Sequence, residues 1–243
     1  MADIDIAPEL YSKIDKEFKE RVRKDATIKG VISKINKKRA TQQDITAAAE
    51  RLGRHASTAL KTYLTADNLP EGKMYWNIAE KTIKPLMKSV YDTVNTLAMG
   101  QRRGNDIARS INIGISMGGD PEDRIRTILG LASNSKTEEE LAAALDTPVK
   151  TTALDYVDDF QAENAKVRNG MGFAQYVVRE YDGIGLNNGK EPCQWCLDRA
   201  GTWSYQDAID NGVFERHEGC GCTIEVVTED DLGEYTPSTD IPF

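Results

Sequence analysis

Between residues 14 and 35, apolar residues recur at helical spacing in an otherwise charged run: Ile14, Phe18, Val22, Ile28, Ile32 and Ile35. This predicts one or two helices whose thin apolar stripe packs on a partner or orders only partly when free. Thr41-x-x-Asp44 has the form of a capping box and opens a helix striped by Ile45, Ala48, Ala49, Leu52, Ala56, Ala59, Leu60 and Tyr63. Trp76, Ala79, Ile83, Leu86, Met87, Val90, Val94 and Leu97 trace another, which Pro85 should kink or split. The run Gly100-Gln-Arg-Arg-Gly104 predicts a break, with a second helical stretch at Ile107, Ile111 and Ile115 ending at Gly118-Gly119. Asp120-Pro121 and Thr137-x-x-Glu140 mark two further helix starts, and a longer helix follows Pro148 to end at Asn169-Gly170. Past residue 170 the period changes. Phe173 to Tyr181 is rich in aromatic and β-branched residues and predicts a strand. Residues 183–189 form a turn-rich loop, Ser204-x-x-Asp207 opens a short helix ending at Asn211-Gly212, and Cys222, Ile224 and Val226 alternate as a half-buried strand.

The fold class is therefore α+β. A basic N-terminal arm or pair of helices over 1–40 and a helical domain over 41–170 precede a small α+β module over 171–228 and an acidic extended tail over 229–243. The chain of 243 residues is long enough to bury a sizeable core, and 40% hydrophobic with 29% charged residues describes a water-soluble protein. No apolar run approaches the roughly 20 residues that span a bilayer, so no membrane contact is expected. The opening MADIDIAPEL lacks the basic and apolar regions of a signal peptide, which predicts an intracellularly made chain with reduced cysteines.

Net charge is −8, which argues against general nucleic-acid binding by the whole chain. The charge is unevenly spread. Lys13, Lys16, Lys19, Arg21, Arg23, Lys24, Lys29, Lys34, Lys37, Lys38 and Arg39 face only four acidic residues in the same stretch, a local net of +7. Such a run either touches phosphates or an acidic partner, or is a solvated helix face, the commoner outcome. Arg102 and Arg103 invite the same two readings. His55 lies beside a helical stripe with no second donor nearby in sequence and reads as a boundary residue.

The chemistry concentrates near the C-terminus. Cys193-x-x-Cys196 is followed about twenty residues later by His217-x-x-Cys220-x-Cys222, which uses all four cysteines and one of the two histidines. Two-residue spacing lets both thiolates of a turn reach one tetrahedral ion, and the second cluster completes the shell, so a structural Zn2+ site is expected. Paired disulfides fit poorly, because a Cys-x-Cys ring is strained. Cys193, Cys196, His217 and Cys222 make the first choice of shell, with Cys220 replacing a member or donating from outside it; a four-cysteine shell is the alternative. Trp195, Trp203, Tyr205 and Phe214 are expected to form a small core around the site.

Enzymatic readings find little support. A zinc deaminase shows His-x-Glu before Pro-Cys-x-x-Cys; here the order is reversed and His217 abuts Glu218. Hydrolase and phosphate-loop motifs are missing from the sequence. Glu218 is the one carboxylate beside the cluster that general-base chemistry could use, and a solvated turn is its plainer role. A zinc-ribbon nucleic-acid binder is the other alternative. Residues 191–222 hold two basic groups, Arg199 and Arg216, against six acidic ones, a poor balance for phosphate.

Cys193, Cys196, Ala200, Gly201, Trp203, Phe214, Arg216, His217, Cys220 and Cys222 together resemble the C-terminal signature of the Mu F-like head-morphogenesis (minor head, or minor capsid) proteins of tailed bacteriophages. Glu218 and Gly221 stand where that family's closing motif usually has proline and arginine. The resemblance covers about the last quarter of the chain. It implies a non-enzymatic assembly protein, associated with portal and capsid proteins inside the virion in multiple copies, with packaged DNA as a further contact through the basic run at 13–39.

Overall fold

The computed structural model describes residues 5–108, 113–181 and 193–232. Amphipathic spacing carries through to helices α1 (Ala7–Lys24), α2 (Ala26–Asn36), α3 (Gln42–Tyr63), α4 (Trp76–Ala108), α5 (Glu122–Ser133), α6 (Glu138–Ala144) and α7 (Thr147–Gly170). The C-terminal part holds β1 (Gln175–Glu180), α8 (Gln194–Leu197), β2 (Gly201–Ser204), α9 (Tyr205–Asp210), β3 (Thr223–Thr228) and α10 (Glu229–Leu232). Both β2 and β3 pair antiparallel with β1, in the order β2-β1-β3. The architecture is α+β. Among the described residues no helix is long and apolar enough to cross a membrane.

The basic segment is not a free arm. Ala7, Leu10, Ile14 and Phe18 of α1 and Ile28 and Val31 of α2 are buried in one core with α3, α4, α5 and α7. Most of the thin stripe thus finds its partner within the chain, while Ile32 is exposed and Val31 is buried in its place. Five of the eleven cations pair with carboxylates: Lys13 with Glu9, Lys19 with Asp15, Arg21 with Glu17, Lys24 with Glu20 and Lys34 with Asp44. The run behaves largely as a solvated helix face.

Asp25 separates α1 from α2 and caps the second, accepting from the Ile28 N–H at 3.1 Å. Arg51 Nε and His55 Nε2 of α3 each lie 2.7 Å from its other oxygen. His55 is therefore a boundary residue that pins the α1–α2 corner. Burial alone would raise the Asp25 carboxyl, but the Ile28 amide, Arg51 and His55 outweigh it and hold the group down at about 2. A depressed carboxylate contributes stability that is complete above its unfolded pKa, near 4, and is lost as pH falls towards 2. Asp25→Asn should therefore cost about 1–3 kcal/mol at pH 7, with a penalty that shrinks towards pH 2. Urea midpoints of both proteins across that range measure it, and a pH-independent difference would contradict the linkage.

Two features of α4 differ from the expected breaks. The helix is not split at Pro85, which removes one N–H opposite the exposed Lys81. It also runs through Gly100 and Gly104, which are contact points rather than a break: a Cβ on Gly100 would sit 2.8 Å from Ile35 Cγ2, and one on Gly104 would sit 3.4 Å from Lys38 Cα. These glycines let α4 approach α2 and the turn after it. Ile115 is not helical. Residues 113–120 have no regular structure and are held by side chains instead. Asn164 bridges the backbone of Ser116, while Asn95 accepts from the Gly118 N–H at 2.8 Å and Tyr91 donates to its carbonyl at 2.7 Å. Ile111 and the 183–189 loop lie outside the described residues.

α7 is the central helix. It buries Thr151, Asp155, Asp158, Gln161, Asn164 and Arg168 alongside its apolar positions. α3 packs on it so closely that a Cβ on Gly53 would lie 2.9 Å from Ala153 Cβ and 3.0 Å from Lys150 Cα. Backbone atoms cannot move aside cheaply, so Gly53→Ala is expected to destabilise by about 1–3 kcal/mol despite alanine's higher helix propensity. A denaturant midpoint unchanged or raised would overturn this close-approach reading. The expected acidic tail begins as one helical turn, α10, and residues 233–243 lie outside the described residues.

Candidate metal centre

The α8 turn places its two cysteines on one side. Cys193 stands at the N-cap position, and its carbonyl accepts from the Cys196 and Leu197 amides, each at 3.0 Å. The second cluster follows α9. After α9 the chain turns at Gly212 (φ 62°), passes Val213 and Phe214, and turns again at Gly219 (φ 79°). The Cys220 N–H donates to the His217 carbonyl at 3.1 Å. Cys220 and Cys222 lie just before β3, whose first residue is Thr223.

All five sequence-derived donors come together. Cys193, Cys196 and His217 form one group whose donor atoms lie within 4.8 Å of one another; Cys196, Cys220 and Cys222 form a second. Cys196 belongs to both. Its Sγ is 3.0 Å from His217 Nε2 and 3.7 Å from Cys220 Sγ. At a metal–sulfur bond near 2.3 Å, the sulfur–sulfur edge of a tetrahedron is about 3.8 Å, so this pair already has ligand spacing. His217 Nδ1 lies 2.8 Å from the Glu218 carbonyl, which can only accept, so Nδ1 carries the proton and the Nε2 lone pair faces the sulfurs. The residues can therefore hold a metal ion. Glu218 contributes that carbonyl, while its side chain is exposed.

Two buried arginines surround Cys220. Arg179 of β1 is 1% exposed and donates to the Val213 and Glu215 carbonyls and, at 3.3 Å, to Cys220 Sγ. Arg216 donates to the Cys222 carbonyl at 2.7 Å and pairs with Asp158 of α7, both side chains being almost fully buried. Cys220 is pulled down to about 4 by a hydrogen bond from Cys222, aided by Arg216 and Arg179. Cys222 is pushed up by that same bond and by burial; Cys196 is pushed up to about 11 by burial and by the charge of Cys220. Cys220 is thus the position best prepared to be a thiolate.

The module joins the helical domain through this site. Besides the Arg216–Asp158 pair, the Gly219 N–H donates to Thr151 Oγ1 at 3.1 Å. Further along α7, Arg124 pairs with Asp155 and Asp159. Burial pushes the Asp155 carboxyl up to about 7 against the pull of Arg124.

The expected aromatic core divides in two. Trp195 packs by the cysteines, edge-on to His217 at 5.2 Å and beneath Arg199 at 3.9 Å. Trp203 and Phe214 fill a separate cluster with Val177, Ala208, Val213 and Ile224. Tyr205 belongs to neither. Asp158 and Arg179 went unnoticed in the sequence. Their signals were faint: an acid inside the apolar stripe of α7, and an arginine two residues from Val177 on an inward strand face. β2 was also missed, being four residues long and opening at Gly201 with φ 123°.

Comparison with protein families, with curated proteins and with solved structures finds no match to this chain.

Proposed function

We propose that the chain is a non-enzymatic assembly protein whose C-terminal module is stapled by a structural Zn2+ and docked rigidly on a helical domain. The burial of the donor set supports it most directly. Cys196, Cys220 and Cys222 are 1–2% exposed and Cys193 and His217 are half-buried; a shell filled by four such protein donors leaves no position for substrate. A sulfur-rich set with one imidazole suits zinc among the common ions. Charge favours three thiolates plus His217 over four thiolates. Such a Zn2+ centre carries −1, and buried Arg179, Arg216 and Asp158 sum to +1. Any three of the cysteines with His217 meet that balance, and the fourth cysteine then stays a thiol.

The partners proposed are the portal and capsid proteins of a tailed phage, on the resemblance of the C-terminal signature to the minor head family. The signature letters outside the ligand set have structural duties here: Gly201 takes a positive φ, Trp203 and Phe214 fill the small core, and Arg216 docks the module. A DNA contact through the basic run is the lesser part of the proposal, since many of its cations are paired. The zinc-ribbon alternative is disfavoured because Arg199 stacks on Trp195 and Arg216 is buried.

Elemental mass spectrometry of the purified protein should find about one zinc per chain, and proteomics of purified particles should find the chain beside the portal. Protein free of metal would end the staple reading, and particles free of the chain would end the virion reading.

A further inference from the structure

Where the helical domain meets the sheet lies a cleft of about 410 Å³. Glu225, Val226, Val227 and Thr228 all line it. Side chains of a strand alternate between faces, so four consecutive residues border one cavity only when the strand meets it edge-on. β3 pairs with β1 on one side, and among the described residues no strand pairs with its other side. The cleft therefore runs along an open sheet edge, with the start of α3, α4 and α7 as its opposite walls.

The two sheet edges are treated differently. β2 is four residues long and begins at a glycine with φ 123°, features that discourage pairing. β3 is six residues long, with no proline or lysine to block it.

The walls opposite β3 offer amides: Gln42, Gln101, Asn105 and Gln161. Buried donors there lack acceptors. Gln42 Nε2 and Arg168 Nε have no hydrogen-bond partner among the described residues, and Arg168 is 4% exposed. Buried donors of this kind are costly unless something supplies an oxygen. Formal charges around the cleft cancel, Arg39, Arg102 and Arg168 against Asp106, Glu225 and Asp231. That balance disfavours a phosphate, a nucleic-acid backbone or a metal cation. It favours a ligand that is neutral along its length and carries carbonyl oxygens and N–H groups in alternation, which is a peptide backbone.

We infer that the cleft along the outer edge of β3 is a docking site for an extended peptide of a partner protein, bound as an added strand whose carbonyls meet Gln42 and Arg168. The inference stands on the cleft and is independent of the assembly reading.

The test pans the full-length, metal-loaded protein against a displayed library of random heptapeptides and follows the most enriched peptide in solution. Two results are expected. Binding slows amide exchange within residues 225–228, and Gln42→Leu and Asn105→Leu each weaken it roughly tenfold without changing the circular dichroism. Failure to enrich any sequence overturns the proposal. So does a peptide that binds both variants equally and leaves 225–228 unprotected. Binding that emerges only after deletion of residues 233–243 would assign the cleft to the chain's own C-terminal segment and reject the partner.

Discussion

Cys196→Ser is expected to take the metal from about one ion per chain to almost none and to unfold residues 193–228 with it. Cys196 is the one donor common to both three-membered groups, so no set built on either survives its loss. The module has little else to hold it. Its apolar cluster consists of Val177, Ala208, Val213 and Ile224 with Trp203, Phe214 and Val226 against them. A structural zinc in a small domain contributes on the order of 10–16 kcal/mol of apparent folding free energy, far more than such a cluster supplies. Cys193→Ser and Cys222→Ser each touch one group only, and should keep a metal at reduced affinity. The helical domain has its own core and should keep its helical circular dichroism in all three variants. Elemental analysis with peptide-resolved hydrogen exchange reads both effects. A full complement of metal in Cys196→Ser would mean that the two groups do not share a centre.

The second large effect is expected from Asp158→Ala. Arg216 and Asp158 are nearly inaccessible, and the pair lies between α7 and the backbone of Cys222. Removing the acid leaves a guanidinium buried without its counter-charge, a loss of about 3–5 kcal/mol. Because Arg216 also holds the Cys222 carbonyl, the loss should fall on the docked module first. Faster exchange of the Gly219 and Cys220 amides would mark that undocking, with the amides of α3 and α4 unchanged. Asp158→Leu combined with Arg216→Met should recover much of the stability, since replacing both members of a buried pair by apolar groups is often neutral. If the single variant lost less than about 1 kcal/mol, the pair would be no more than a surface bridge in effect.

Local rules made much of the molecule legible. The capping box at Thr41 and Asp44 forms with both of its hydrogen bonds, because it needs only residues three apart. The apolar stripes of α3, α5 and α7 locate the core for the same reason, since a helix's period decides which side chains share a face. The five candidate donors were also readable, as donor type and the short spacing within each cluster mark them, while the fold brings the two clusters together.

Tertiary packing decided the rest. Glycine pairs mark breaks on average, but Gly100 and Gly104 lie within α4, where α2 and the turn after it pack against them. The 113–120 segment stays non-helical, with its backbone held by Asn95, Tyr91 and Asn164, distant in sequence. The basic run looked like an arm only while its partner surface on α3 and α4 was unknown. Arg179 and Asp158 acquired roles when the sheet was laid on α7 and left two buried charges beside Cys220 to be balanced. Periodicity and donor spacing act over a few residues and are written in the chain; burial of a charge depends on what the rest of the chain brings to it.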